Sequence, residues 1–252
     1  MDSPRTDAGP ASVGLVWDDQ DLAGTARTVD PWWSLLTQGV DPLPRGLPEL
    51  HEAALAHRAV IRSDASFAAR AAAGTALVAA MSAAARAVHE AGWGPAARAG
   101  TVTGVFAAAA GGVPKPAVPE AEVGWRGLVG DAQADRRHHG RVWQALCLWS
   151  AEVVAGIAAE GHPIFPGAAG ENVSITGLDW GSLRPGTRLR LGTALAEVSV
   201  PALPCGVNGK WFLGGNHNRM HHERFPGESR LYALVVVPGR VAVGDAALVE
   251  PA

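Results

Sequence analysis

RLRLGTALAEVSV, residues 188–200, is rich in strand-forming residues, is broken once at Gly192, and runs directly into Pro201. Runs of the same kind lie on both sides of it: TVTGVFAA at 101–108, QALCLWS at 144–150, RLYALVVV at 230–237 and AALVE at 246–250. Short strands divided by Gly and Pro argue for a barrel or sandwich rather than a parallel α/β sheet. One helix is expected among them over 151–160, with Val153, Val154 and Ile157 on one side and Gly161 as its stop.

Upstream of Gly94 the texture is helical. Pro48, favoured at a first helical position, opens a helix expected to end near Ile61. A second begins at the candidate cap Ser66. Its residues Phe67, Ala71, Gly74, Val78, Met81, Ala85 and Val88 recur at three- and four-residue steps and share one face. Gly92 and Pro95 end it. The stripe is mostly alanine, which implies close packing on another surface rather than a cofactor box. Residues 15–46 carry mixed signals: Trp32-Trp33 follows Pro31, and Pro42, Pro44 and Gly46 punctuate a loop. The expected organisation is a disordered tail at 1–14, a helical region at 15–97 packed on the outside of a barrel, and a β-barrel domain at 98–252. The fold class is therefore mainly β, with short flanking helices and a helical N-terminal extension.

The chain has 252 residues, 48% hydrophobic, enough for one core with a smaller appendage. A net charge of −3 gives no bulk attraction to nucleic acid. No window approaches the roughly 20 uninterrupted apolar residues of a membrane span. The opening MDSPRTDAGPASVG lacks the basic start and apolar run of a signal peptide. Cys147 and Cys205 are too few for a disulfide scaffold. Expected, then, are a cytoplasmic location, reduced thiols, and neither nucleic acid nor membrane as partner.

Four segments carry candidate chemistry. GLVGDAQADRRHHG, residues 127–140, crowds Asp131, Asp135, Arg136, Arg137, His138 and His139 into a Gly-bounded loop. Such a loop can be salt-bridged with no further role, or its guanidinium forks can match two oxygens of a phosphate or anionic cofactor. FPGAAGENVSITGLDW, residues 165–180, has Gly167 and Gly170 for a sharp turn and Glu171-Asn172 to present acceptors and donors. Its alternative is a hairpin loop in which Asn172 caps its own backbone.

SVPALPCGVNGKW, residues 199–211, holds Cys205 between two prolines and Gly206, with Lys210 near. A thiol in a shaped loop beside positive groups suits a nucleophile or metal ligand, whereas Cys147 inside an apolar run reads as a buried hydrophobe. GGNHNRMHHERFPGESRLY, residues 214–232, places His217, His221, His222 and Glu223 close in sequence. Gly, Asn and Pro interrupt any zinc spacing, which favours a structural or substrate-contacting loop.

Together these segments, and FPGESRLYALVVVPGRVAVGD at 225–245, resemble the MOSC domain in order and spacing over about residues 100–250. That family is named after the C-terminal domain of molybdenum cofactor sulfurases, and GGVPKPAVPEAEV at 111–123 resembles the opening of its standalone bacterial members. The resemblance implies a β-barrel with short helices. It also implies a thiol that ligates the molybdenum of a pterin cofactor or carries sulfur as a persulfide, and by position that thiol is Cys205. Arg136, Arg137, His138 and His139, with Gly170, Glu171 and Asn172, then look like the walls that hold the pterin and its phosphate.

The departures are Ala202, where many members carry a polar residue, Gly206 after the cysteine, and the richness in histidine. No iron–sulfur cysteine cluster or reductase domain accompanies the segments, so a redox reaction would need an electron donor in trans. Three readings follow. The first is a molybdenum-pterin enzyme reducing N-hydroxylated or N-oxide small molecules. The second is a persulfide carrier served by a sulfur donor protein. The third is a fold turned to small-molecule binding or biosynthetic chemistry without molybdenum.

Overall fold

The computed structural model describes residues 17–95, 99–132 and 141–250. The tail expected at 1–14 and the segment 133–140 lie outside the described residues. The first element, α1 (Asp19–Thr37), occupies the stretch whose sequence signals are mixed. Asp18 caps it by accepting from the Asp21 N–H at 2.7 Å, and Leu22, Ala26, Val29, Trp32 and Leu36 are buried at helical spacing. Pro31 lies inside it and removes one backbone donor. Burial of that stripe holds the helix where propensity alone reads as interrupted. Helices α2 (Leu47–Ile61) and α3 (Phe67–Glu90) follow, the latter with the Ser66 side chain accepting from the Ala69 N–H.

The remaining elements are strands β1 (Ala99–Phe106), β2 (Ala117–Val118), β3 (Glu120–Gly124), β4 (Gly127–Leu128) and β5 (Leu146–Ser150). Helix α4 (Ala151–Ala159) follows, then β6 (Val173–Thr176), β7 (Arg188–Leu191), β8 (Ala194–Pro201), β9 (Leu231–Val237), β10 (Gly239–Ala242) and β11 (Ala246–Val249). The large sheet runs β11-β7-β8-β9-β5-β6-β1 and closes by pairing β1 with β11. That closure makes a seven-strand β-barrel and removes its open edges. Strand β2 adds to β1, and β10-β3-β4 form a small second sheet. The pair β5–β6 is parallel. Parallel neighbours need a crossover, and α4 supplies it.

Alternation along β9 sorts the interior. Leu231, Ala233 and Val235 enter the barrel core. Tyr232 and Leu234 face outward into a second core shared with Leu22, Trp32, Leu77 and Met81 of the helices. Cys147 and Val200 lie in this outer core too, so the helices cover the outer face of β5, β8 and β9.

Two arginines tie the layers together. Arg184 donates from Nη1 to the carbonyls of Leu36 and Gln38, both at 3.1 Å, which satisfies the end of α1. Arg141 packs on Gly24, where a Cβ would stand 1.0 Å from its Nη1. Glycine is required there for the close approach. Helix α3, 24 residues long, is also apolar enough by composition to cross a bilayer. In this fold Leu77, Val78, Met81, Ala84 and Val88 of that helix are buried.

Candidate functional site

Strand β8 is buried throughout, and its pairing continues past Pro201, where the Ala202 N–H donates to the Arg230 carbonyl at 2.9 Å. Pro204 then turns the chain outward. Cys205 is extended, exposed, and heads a 3-10 turn over Gly206–Trp211, with its carbonyl accepting from the Asn208 N–H at 2.9 Å. Leu203 and Val207 flank the thiol and are 48% and 63% exposed. Lys210, expected near the thiol as a positive neighbour, is engaged elsewhere: its Nζ donates to Val113 O at 3.1 Å and lies 4.8 Å from the Trp211 ring centre.

The Gly167–Asn172 turn packs beside this one. Gly167 has a φ of +86° and no room for a side chain, since a Cβ would lie 2.8 Å from the Lys115 carbonyl. Gly170 has a φ of +89°. Glu171 is fully buried and turns back on its own loop, accepting from the Gly167 N–H at 2.6 Å. Asn172 does not cap its own backbone. Its Oδ1 accepts from the Cys147 N–H at 3.0 Å, and its Nδ2 donates to Asp131 Oδ2 at 2.8 Å and Phe106 O at 3.3 Å. Asp131 also accepts from Lys115 Nζ at 2.5 Å and from the Ala108 N–H at 2.8 Å. The start of the first motif is thus fixed to the second. Asp135, Arg136, Arg137, His138 and His139 lie outside the described residues.

Arg230, just before β9 and 4% exposed, joins the second motif to the third. Its Nη1 donates to Ala169 O at 2.5 Å and its Nη2 to Leu203 O at 3.4 Å. Its positive charge also opposes the effect of burial on the Cys147 thiol. Asn208 Nδ2 donates to the same Ala169 carbonyl at 3.4 Å, and Phe165 meets Trp211 edge-on with ring centres 5.0 Å apart. Among the described residues, the buried atoms Glu171 Oε2, Asn208 Oδ1, Trp211 Nε1 and Arg230 Nε of this cluster have no hydrogen-bond partner. Sequence reading passes over Arg230 and Asn208. The available signal was a charged residue immediately preceding an apolar strand, which must find partners when buried.

Burial pushes the Glu171 carboxyl up, against the Gly167 N–H and the charges of Arg230 and Lys115. A raised acid destabilises the fold wherever it must ionise. Its stabilising contribution is full below the ordinary value of 4.5 and is lost as pH rises through the native value. Glu171→Gln should therefore raise the Tm at pH 8 and change it little at pH 4, as read by calorimetry across that range. A uniform gain or loss at both pH values would contradict the assignment.

The histidine-rich segment does other work. Residues His217–Met220 form a 3-10 turn, so His217 and His221 do not share an α-helical face. His217 Nδ1 contacts Gly215 O, while His222 is buried and stacked on His221, its pKa lowered by burial and by that neighbour. Arg219 clamps the loop to the end of α4, donating to Glu160 at 2.5 and 2.7 Å and to Glu228 at 2.5 Å. Among the described residues, no three His, Cys, Asp or Glu side chains are grouped to hold a metal ion.

Residues 135–247, which contain these turns, match the family profile of the MOSC domain. The chain carries a MOSC domain. Protein YflK of Bacillus subtilis (strain 168) is 32% identical over 116 residues, 46% of this chain and 52% of that protein. Protein YiiM of Escherichia coli (strain K12) is 38% identical over 87 residues, 31% of this chain and 37% of that one. The chain thus spans about half or less of the curated relatives it matches. The crystal structure of YiiM from Escherichia coli superposes with a TM-score of 0.47 at 24% identity, over 60% of this chain and 69% of that one.

Within the MOSC domain the two thiols differ sharply. Cys147 is buried in the outer core, and burial pushes its thiol up against the opposing charge of Arg230. Cys205 is exposed. A maleimide added to native protein should modify Cys205 first and reach Cys147 only on unfolding, which peptide mass mapping would show. Faster labelling of Cys147 would refute this placement.

Proposed function

We propose that Cys205 is the single protein ligand of a molybdenum-pterin cofactor, and that the chain reduces N-hydroxylated or N-oxide small molecules there. The observation that carries this reading is an exposed thiol on a turn anchored by Arg230, beside buried polar atoms without partners among the described residues. A soft thiolate with no second ligand grouped beside it among the described residues suits a metal whose remaining ligands come from its own organic cofactor. Glu171 Oε2, Asn208 Oδ1 and Arg230 Nε offer hydrogen bonds to a polar heterocycle, and leaving each unmade costs about 1–3 kcal/mol. The donor set therefore fits the group.

When bound, the cofactor would supply two-electron removal of the oxygen from an N–O bond. The chain's own part is to hold the thiolate, exclude water beneath it, and keep a proton on Glu171, whose burial favours the neutral acid. Arg136, Arg137, His138 and His139 would meet the phosphate. Electrons come from a donor protein in trans, in a cytoplasmic setting. Metal analysis and pterin fluorescence on protein from a cofactor-competent host test this. Molybdenum near one per chain in the wild type, lost in Cys205→Ala, is the expected result. Equal content in both would exclude the ligand role.

The exposure of Leu203 and Val207 beside the thiol also favours a second reading, in which a partner protein reaches Cys205 directly. The Cys205 thiolate would attack the outer sulfur of the partner's persulfide, forming a Cys205 persulfide and releasing the partner's thiol. A reducible addition of one sulfur in the intact mass would identify it.

A further inference from the structure

A cleft of about 620 Å³ opens between the last turns of α3 and the outer face of the barrel, sharing no lining residue with the Cys205 turns. That volume falls in the range of roughly 300–1,000 Å³ occupied by small-molecule sites, which favour such layer junctions. Its charges are unevenly matched. Glu197 is buried on the cleft wall, and its Oε2 accepts from Arg188 Nε at 3.1 Å. Arg86, across the cleft on α3, acts on Glu197 through space but makes no hydrogen bond or ion pair with a described residue.

One carboxylate thus faces two guanidiniums. Of the other acids in the lining, Glu250 is held by Arg190 at 2.6 Å and Glu90 is an exposed rim residue. His89 contacts Pro185 O through Nε2 at 3.1 Å, and burial lowers its pKa, so it adds no charge at neutral pH. A guanidinium with its planar donors uncommitted matches a carboxylate or phosphate in two-pronged fashion.

We infer that this cleft binds a small organic anion, a carboxylate or a phosphate monoester, with Arg86 receiving its charge. The site is independent of Cys205. Its amides make the test direct, because Gly92, Gly94 and Gly186 line the cleft whereas Gly206 and Gly209 belong to the Cys205 turn.

The full chain, labelled with ¹⁵N, is titrated with benzoate and separately with phenyl phosphate, each against sodium chloride at equal ionic strength. Saturable shifts at Gly92, Gly94 and Gly186, absent with chloride, are expected. Saturation by benzoate alone assigns a carboxylate, by phenyl phosphate alone a phosphate ester, and by both a site for the shared anion. Arg86→Gln should weaken binding about tenfold or more, Arg86→Lys should recover part of it, and Cys205→Ala should leave it unchanged. Arg86 is a surface helix position, so the variants keep the fold. Shifts confined to Gly206 and Gly209, no saturation by either probe, or equal binding by Arg86→Gln would overturn the inference.

Discussion

Cys205→Ala is expected to abolish both molybdenum retention and turnover of N-hydroxylated substrates while leaving the thermal midpoint within about a degree of wild type. The stability half of this follows from placement. The side chain is exposed, heads a 3-10 turn through its backbone carbonyl, and contributes no side-chain cap. Surface substitutions of this kind usually change stability by no more than about 0.5 kcal/mol. The functional half follows from chemistry. Cys147 is the only other thiol in the sequence. It is buried in the outer core, so it cannot take over as ligand or nucleophile.

Cys205→Ser sharpens the result. A hydroxyl preserves volume and hydrogen bonding but is a hard, poorly ionised donor, so it should behave like alanine toward a soft metal. Activity surviving in both variants, with an unchanged midpoint, would remove the ligand and the persulfide readings together. Chemistry would then have to be sought in the histidine-rich turn.

The strands of the barrel were legible where apolar runs are long and bounded by Gly or Pro, as in 188–200 and 230–237. Strand β6 was not, because Val173–Thr176 is four residues inside a loop-like segment and is defined by its neighbours on β1 and β5. Helix α1 escaped for a different reason. Pro31 and three threonines depress its local propensity, and what stabilises it is burial against elements far along the chain. The four motif segments could be read as segments, yet their contacts could not. Asp131 meets Asn172 across 41 residues, and Arg230 meets Ala169 across 61. Nothing in periodicity encodes a side chain reaching two loop carbonyls. Lys210 shows the same limit, since its bond to the Val113 carbonyl spans 97 residues.

Arg230→Met should lower stability by about 1.5–3 kcal/mol, roughly 3–12 °C for a chain of this size, and loosen the Cys205 turn more than the rest of the molecule. Methionine retains the length and apolar bulk of the arginine stem, which is buried, so its packing is largely kept. What goes is the fork. Leu203 O loses its side-chain donor, and Ala169 O keeps only the longer bond from Asn208 at 3.4 Å. Glu171 and Cys147 lose their nearest stabilising cation, so both groups shift further towards their neutral forms. That shift strengthens the pH dependence described for Glu171: the variant should lose more stability at pH 8 than at pH 4. Arg230→Lys keeps the charge but can satisfy only one of two divergent carbonyls, and should recover the pH 8 loss without restoring order in the turn. Hydrogen exchange at residues 203–208 and 167–171 reads that order directly. Faster exchange in both turns, with β9 itself still protected, is the expected pattern. Unchanged exchange in the two turns alongside a large global loss would mean that Arg230 supports the barrel wall and does not couple the two turns.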